Sequence, residues 1–77
     1  MILENIKSII SELVLMNVEE IQEEDTLAIL GVDSLLTVEL ILRIEEKYDI
    51  TFESSDINFK NFEFVKSVVN ITERYLK

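Results

Sequence analysis

The serine at position 34 is the residue of this chain best placed to do chemistry. It follows Asp33 and stands where a segment without a sustained period gives way to a strongly amphipathic stretch. A serine hydroxyl becomes a strong nucleophile when a neighbouring base, most often a histidine, takes its proton. The chain contains no histidine and no cysteine. These absences favour a serine that another protein modifies over a serine that catalyses a reaction.

The other common catalytic and cofactor-binding patterns are also missing. Gly31 is the single glycine, so no glycine-rich phosphate loop or dinucleotide motif can be assembled. The carboxylates are numerous, but their positions indicate a solvated surface rather than a converging acid–base pair. We therefore expect that the chain is not an enzyme.

Ser34 also has an ordinary structural interpretation. A serine before an apolar periodic run is a common start of a helix, where its side chain caps free backbone N–H groups. Asp33 is able to cap the same helix, which would leave Ser34 free. An anionic group on Ser34 would suit this place, because a helix N-terminus offers free N–H groups and the positive end of its dipole. The sequence leaves both roles open, and one serine is able to fill both.

The length and the net charge of the chain limit the classes of protein to which it can belong. The 77 residues fit one small domain, and the net charge of −9 comes from sixteen acids against seven bases. Nucleic acids and anionic membranes are not expected as partners, because both need clusters of Lys and Arg. No apolar run approaches the roughly 20 residues that span a bilayer, so we expect no membrane insertion. A cytoplasmic monomer that meets basic partner surfaces is the expectation.

Helical periodicity dominates the chain, which has one glycine and no proline. The predicted helices cover Ile2 to Met16, Ser34 to Tyr48 and, with Asn61 as N-cap, Phe62 to Leu76. One short helical turn is predicted near Ser54 or Ser55, either of which would cap it. Amphipathic helices must bury their apolar stripes against one another. The pattern thus predicts an all-α bundle.

A long connection joins the first two predicted helices. Residues 17–33 lack a period but contain several apolar side chains that are expected to pin the loop to the core, namely Val18, Ile21, Leu27, Ile29 and Leu30. Its acids, from Glu19 to Asp25, suggest a divalent cation site as an alternative. The order of ligands and the central glycine of an EF-hand are missing, so a solvated loop is the preferred interpretation.

The second predicted helix has an uneven apolar pattern. On a helical wheel the expected core face is formed by Val38, Leu40, Ile41 and Ile44, and the opposite face by Glu39, Arg43, Glu46 and Lys47. Leu36 falls on the polar side, with Leu35 and Leu42 at its edge. Three such leucines beside Ser34 favour a contact patch over isolated exposed residues. The expected interior, which would be able to shelter an apolar chain, is lined by Val38, Ile41, Phe52, Val65 and Val69. In any helical bundle the same residues would form the core.

The segment Leu30-Gly31-Val32-Asp33-Ser34-Leu35 resembles the attachment motif of acyl and peptidyl carrier proteins. The resemblance continues through Thr37 to Leu40 and Glu45 to Ile50 and covers nearly the whole chain. It implies an acyl-carrier-like four-helix bundle, with three main helices, one short helix and a long first loop, as a single carrier domain over residues 1–77. It also implies that Ser34, next to Asp33, carries covalent 4'-phosphopantetheine derived from coenzyme A.

The resemblance further implies the partners and their docking residues. A phosphopantetheinyl transferase would modify the serine, an acyl-activating ligase or acyltransferase would load the arm, and synthases or tailoring enzymes with basic docking surfaces would follow. The second helix would be the recognition element. Carried over by position, its contact residues are Asp33, Leu35, Leu36, Glu39, Leu42, Arg43 and Glu46.

Two departures from the pattern bear on the pathway. Carriers of fatty-acid synthesis commonly have an acid directly after the Asp-Ser-Leu triplet, where this chain has Leu36, and Arg43 interrupts the acidic face. The segment from Ile57 to Phe62 is more similar to stand-alone carriers of polyketide, nonribosomal or other specialised pathways. A carrier of primary fatty-acid synthesis and a non-covalent acidic interaction module remain the alternatives.

Overall fold

Three α-helices form the framework of the protein. The computed structural model describes residues 2–77, in which the helices are α1 (Ile2–Val14), α2 (Ser34–Tyr48) and α3 (Val65–Tyr75). Short 3₁₀ helices lie in the connections at Val18–Glu20, Ser54–Asp56 and Lys60–Phe62. No strand forms in these residues, and only one isolated antiparallel bridge joins Thr26 to Phe64. The predicted all-α bundle is confirmed.

The ends of the first two helices follow from local backbone geometry. α1 stops two residues before the predicted Met16, because Leu15 adopts the left-handed conformation with φ 58°. α2 has the predicted bounds. At its end Asp49 also turns left-handed, with φ 55°, and donates its N–H to the carbonyl of Glu45. Left-handed residues commonly terminate helices in this way.

α3 begins later than predicted. It starts at Val65 rather than Phe62, and Asn61 is not its N-cap. The side chain of Asn61 instead donates to the carbonyl of Asp56 at 2.9 Å. Phe64 occupies the N-cap position in an extended conformation and makes no side-chain capping bond.

The long first connection caps α3 with its own backbone. The carbonyl of Asp25 accepts the N–H of Val65 at 3.0 Å, and that of Glu23 accepts the N–H of Lys66 at 3.0 Å. The N–H of Leu27 returns a bond to the carbonyl of Glu63 at 2.9 Å. These bonds need an extended residue at position 64, so a helix that ran through from Phe62 would lose them. This is the physical reason for the late start.

The core lies where the apolar stripes of the helices meet. α1 and α2 run antiparallel, since Asn5 donates to the hydroxyl of Tyr48 while Glu12 meets Arg43. α3 packs against α1. The buried apolar helix residues are Ile6, Ile9, Ile10, Leu40, Ile41, Ile44, Val65, Val68, Val69 and Ile71, joined by Phe52 and Phe62.

The first loop is pinned to this core as predicted, with one exception. Ile21, Leu27 and Leu30 are buried, and Val18 is half-buried. Ile29 is exposed, so its prediction as an anchor is wrong. Ile29 lies within a tight turn whose neighbouring residue, Leu30, already fills the core position.

A polar clamp holds the short turn Ser54–Asp56 against the end of α3. The hydroxyl of Tyr75 donates to Asp56 at 2.6 Å and accepts the N–H of Glu53 at 2.9 Å. The hydrogen bond to Asp56 raises the pKa of the Tyr75 phenol. The turn itself was predicted, but Glu53 rather than a serine precedes it, and no side chain caps it. The bonds of Tyr75 therefore hold the turn in place without a side-chain cap.

In residues 2–77 no helix combines the length and the hydropathy that a membrane crossing requires.

Candidate prosthetic-group attachment site

A tight turn directly precedes Ser34 and sets its direction. The N–H of Gly31 bonds the carbonyl of Ala28 at 3.1 Å, and the N–H of Val32 bonds that of Leu27 at 2.9 Å. Gly31 has φ 90°. Glycine adopts this conformation freely, whereas residues with a side chain are strained in it. Val32 is then buried, whereas Ser34 is exposed. The turn thus anchors one residue and presents the serine that follows it.

Asp33 is the N-cap of α2, and Ser34 is its first residue. A carboxylate oxygen of Asp33 accepts the N–H of Leu36 at 2.9 Å, and its carbonyl accepts the N–H of Thr37 at 2.8 Å. Within residues 2–77 the hydroxyl of Ser34 makes no hydrogen bond. The interpretation of Ser34 as a plain N-cap is therefore wrong, because Asp33 already fills that position.

The cap yields a first testable prediction. Asp33→Ala should destabilise the protein by about 1 kcal/mol, since the N–H of Leu36 loses its acceptor. Asp33→Asn keeps an oxygen in the same place and should cost only a fraction of that. Urea unfolding monitored by circular dichroism measures both. Equal losses in the two variants would show that the carboxylate charge, and not the cap, carries the effect.

The surroundings of the Ser34 hydroxyl fit an attached phosphodiester. The backbone N–H groups of Ser34 and Leu35 precede the first intrahelical bond and have no helical acceptor. Such groups, with the positive end of the helix dipole, stabilise a phosphate. Ser34 itself is exposed, so a modifying enzyme can reach its oxygen without unfolding the chain.

The exposed face of α2 differs from the wheel at two positions. Val38, predicted in the core, is 53% exposed, whereas Leu36, predicted on the polar side, is partly buried against the core. Leu35 and Leu42 are exposed at 78% and 54%, in agreement with prediction. The buried face of α2 is therefore turned away from Val38 and towards Leu36.

Leu36 gives a second prediction. Leu36→Asp should lower the free energy of unfolding by about 1–3 kcal/mol, because a carboxylate would replace a side chain packed on the core. The matched change Leu35→Asp, on the adjacent exposed residue, should stay within about 0.5 kcal/mol. Thermal or urea unfolding separates the two variants. If Leu36→Asp left the free energy of unfolding unchanged, Leu36 would have to lie on the exposed face of α2, as the helical wheel predicted.

Charges on the side of α2 nearest α1 are linked by Arg43. Its guanidinium contacts the carboxylate of Glu12 on α1 and that of Glu39 on α2, each at 3.2 Å. Glu46 lies two turns after Glu39 and is exposed. The acidic residues predicted for docking are thus present on the surface, but one of them is already paired.

A largely apolar cleft opens beside Ser34. Its volume is about 590 Å³, within the range of about 300–1,000 Å³ that is usual for small-molecule sites. Five residues were predicted to line the interior. Val38 and Ile41 line this cleft, whereas Phe52, Val65 and Val69 do not. Those three pack within the core instead. The other apolar lining residues are Leu27, Ala28, Val32, Ile57, Phe59 and Phe62.

Among the lining residues that were not predicted from the sequence, Phe59 is the most exposed large apolar side chain. It is 77% exposed and stands on the cleft rim with Ile57. Its position in the segment from Ile57 to Phe62, where two phenylalanines flank Lys60 and Asn61, was the available indication. Phe59 and Ile57 are both exposed and both line the cleft, and grouped apolar surface of this kind indicates a contact site more strongly than a single exposed residue does.

The acidic stretch of the first loop is used for structure. In the part of the chain that the structure describes, no three acidic side chains are grouped so that they could hold one metal ion. The carboxylate of Asp25 accepts the N–H of Gln22 at 2.9 Å, and the carbonyls of Glu23 and Asp25 cap α3. These residues shape the loop that leads to Ser34.

Known proteins are similar to this chain in sequence and in fold. Residues 4–73 match the family described as the phosphopantetheine attachment site. The chain is 33% identical over 67 residues to the D-alanyl carrier protein of Streptococcus suis, covering 87% of this chain and 85% of that protein. It is 39% identical over 54 residues to the non-reducing polyketide synthase dbaI of Emericella nidulans, covering 70% of this chain but 2% of the synthase.

The fold has a solved counterpart as well. The holo acyl carrier protein of Nitrosomonas europaea, determined by NMR in solution, matches with a TM-score of 0.85 at 22% identity, over 96% of this chain and 94% of that one. The family match and the similarity to the D-alanyl carrier protein show that the chain is a carrier protein. The chain belongs to the phosphopantetheine attachment family, whose prosthetic group is covalent 4'-phosphopantetheine.

Proposed function

We propose that residues 1–77 act as one carrier domain that bears 4'-phosphopantetheine on the oxygen of Ser34. The observation that carries this proposal is the exposed serine hydroxyl at the start of α2, left free because Asp33 supplies the cap. The attached group supplies a thiol, which a chain without cysteine lacks, and that thiol holds an acyl or aminoacyl group as a thioester. The chain itself is proposed to have no catalytic activity.

The proposed partners follow from the exposed face of α2. Leu35, Glu39, Leu42, Arg43 and Glu46 all reach the surface on this helix, next to Ser34. A phosphopantetheinyl transferase, a ligase or acyltransferase that loads the arm, and synthases or tailoring enzymes would contact it in turn. The net charge of −9 would steer partners with basic surfaces towards the chain. The proposed compartment is the cytoplasm, because coenzyme A is available there, and the proposed state is a monomer.

The proposed pathway is polyketide, nonribosomal or other specialised biosynthesis rather than primary fatty-acid synthesis. Leu36 stands where an acid is common in fatty-acid carriers, and Arg43 neutralises part of the acidic face. The similarity to a polyketide synthase and to a D-alanyl carrier protein supports the same choice. The cleft beside Ser34 would give an apolar cargo a place on the protein surface.

Isolation of the protein from the cells that make it tests this function. Intact-mass analysis should show one phosphopantetheinyl group on the peptide that contains Ser34. Release of the thioester and its identification by mass spectrometry should yield a polyketide, aminoacyl or related intermediate. Ordinary fatty-acyl intermediates would overturn the proposed pathway. A chain that is never modified would instead indicate a non-covalent interaction module.

A further inference from the structure

The basic residues of this chain are concentrated near its C-terminal end. Residues 60–77 contain only two of the sixteen acids but four of the seven bases, namely Lys60, Lys66, Arg74 and Lys77. In residues 2–77 none of these four cations forms an ion pair, since both ion pairs of the structure are made by Arg43. A chain that is strongly acidic elsewhere thus has one region whose cations remain open to an anionic ligand.

Two of these cations, Lys60 and Arg74, line a groove between the short 3₁₀ helix Lys60–Phe62 and α3. The groove shares only Glu63 with the cleft beside Ser34 and is therefore a separate surface. Glu63 is also the one acid among its lining residues. The volume of the groove is about 420 Å³, whereas a water molecule takes up about 30 Å³ of the liquid. A single small anion would fill little of this space.

The wall that α3 contributes to the groove is polar. Ser67, Asn70 and Arg74 recur at intervals of three and four residues and so share one face of the helix. Within residues 2–77 the hydroxyl of Ser67 and the side-chain amide of Asn70 make no hydrogen bond. Seven residues of α-helix rise about 10 Å, so this face presents unused donors over about that length.

Cations stand at both ends of this face. Near the end of α3, the guanidinium of Arg74 donates to the side-chain oxygen of Asn61 at 3.4 Å, beside Lys60. Near the start of α3, the Nζ of Lys66 lies over the ring of Phe64, 5.7 Å from its centre, and this ring lines the groove. A ligand that contacts both ends needs two negative charges about 10 Å apart.

We propose that this groove binds an extended acidic segment of a partner protein through Lys60, Lys66 and Arg74. One carboxylate of the segment pairs with Arg74 and Lys60, and a second, about three extended residues away, pairs with Lys66. Ser67 and Asn70 donate to the segment between them. Such a partner is complementary in charge to this region alone. No residue of α2 lines the groove, so a protein anchored here leaves that helix to other partners.

The test is an NMR titration of the isotope-labelled, unmodified full chain. The probe is a short synthetic peptide in which glutamate and serine alternate, and the same peptide with glutamine in place of glutamate is the uncharged control. At low salt the acidic peptide should shift the backbone amide signals of residues 60–74 first and most. The uncharged peptide should leave them in place. Because the chain carries no modification, the result is independent of attachment at Ser34.

Variants of equal charge change show whether the groove itself binds the peptide. Lys60→Gln and Arg74→Gln should each weaken binding about two- to fivefold at low salt. Lys47→Gln, at an exposed lysine of α2 that forms no ion pair in residues 2–77, should change it less. Glu63→Gln should tighten binding about twofold, whereas Glu73→Gln, on α3 but outside the groove lining, should have a smaller effect. All these differences should shrink at high salt.

Four results would overturn the proposal. Equal weakening by all three cation variants would mean that net charge alone attracts the peptide. Signals that move mainly on α2, or no binding at all, would remove the groove as the site. The same shifts from inorganic phosphate at equal concentration would make it a site for small anions. Shifts of residues 60–74 that depend on protein concentration without peptide would identify a second copy of the chain as the occupant.

Discussion

Ser34→Ala should abolish addition of the phosphopantetheinyl group completely. Incubation of the wild-type chain with coenzyme A and a broad-specificity transferase should add one group, detected by intact mass. The serine oxygen forms the new bond to phosphorus, its proton leaves, and the remainder of coenzyme A departs as adenosine 3',5'-bisphosphate. Alanine has no oxygen to form this bond, so the expected loss is total.

The fold should be unaffected by Ser34→Ala, so a loss of modification would reflect the missing hydroxyl and not unfolding. The cap of α2 comes from Asp33, and the side chain of Ser34 makes no hydrogen bond in residues 2–77. The free energy of unfolding should change by less than about 0.5 kcal/mol. Ser55→Ala, at another exposed serine, serves as the control and should be modified at the wild-type rate. An unchanged mass gain in Ser34→Ala would place the attachment elsewhere.

The largest expected effect on stability is that of Phe52→Ala. The Phe52 ring is buried and meets those of Phe62 and Tyr75 edge-on, with centroids 5.8 and 4.9 Å apart. Truncation of a buried phenylalanine typically costs about 3–5 kcal/mol. A small domain has only about 5–15 kcal/mol in total, so much of the population should unfold under mild denaturant. Urea titration followed by circular dichroism measures the loss.

Phe59→Ala is the matched control for that experiment. It removes the same side chain from a position that is 77% exposed. Its effect on the free energy of unfolding should be within about 0.5 kcal/mol. Comparable losses in both variants would mean that the rim of the cleft carries as much packing energy as the core.

Helix bounds were predicted correctly from the sequence where they depend on residues close together in the chain. The bounds of α2 follow from an N-cap aspartate and an apolar period, both of which are local. The start of α3 could not be derived in this way. Its first N–H groups bond the carbonyls of Glu23 and Asp25, which are about forty residues away in the chain. A backbone carbonyl has no side-chain signature, so no pattern at Asn61 or Phe64 reveals it.

The helical wheel of α2 failed for a related reason. It assigns one buried side from hydrophobicity alone, whereas the helix has two different neighbours. The core covers the side of Leu36, and an open cleft adjoins Val38. The cleft requires a gap between elements, and gaps arise from the path of the loops rather than from the period of a helix. Ser34 was predicted as the attachment residue because its motif is a continuous stretch of the sequence, Leu30 to Leu35.

The bonds from Glu23 and Asp25 to the first N–H groups of α3 have a consequence for motion. The connection that ends in Ser34 cannot lift away without removing the acceptors of the last helix, and fraying of that helix equally releases the connection. Local opening at the two places is therefore one event rather than two. Transient opening of the first connection and unfolding of α3 should accordingly occur together, as a single cooperative unit.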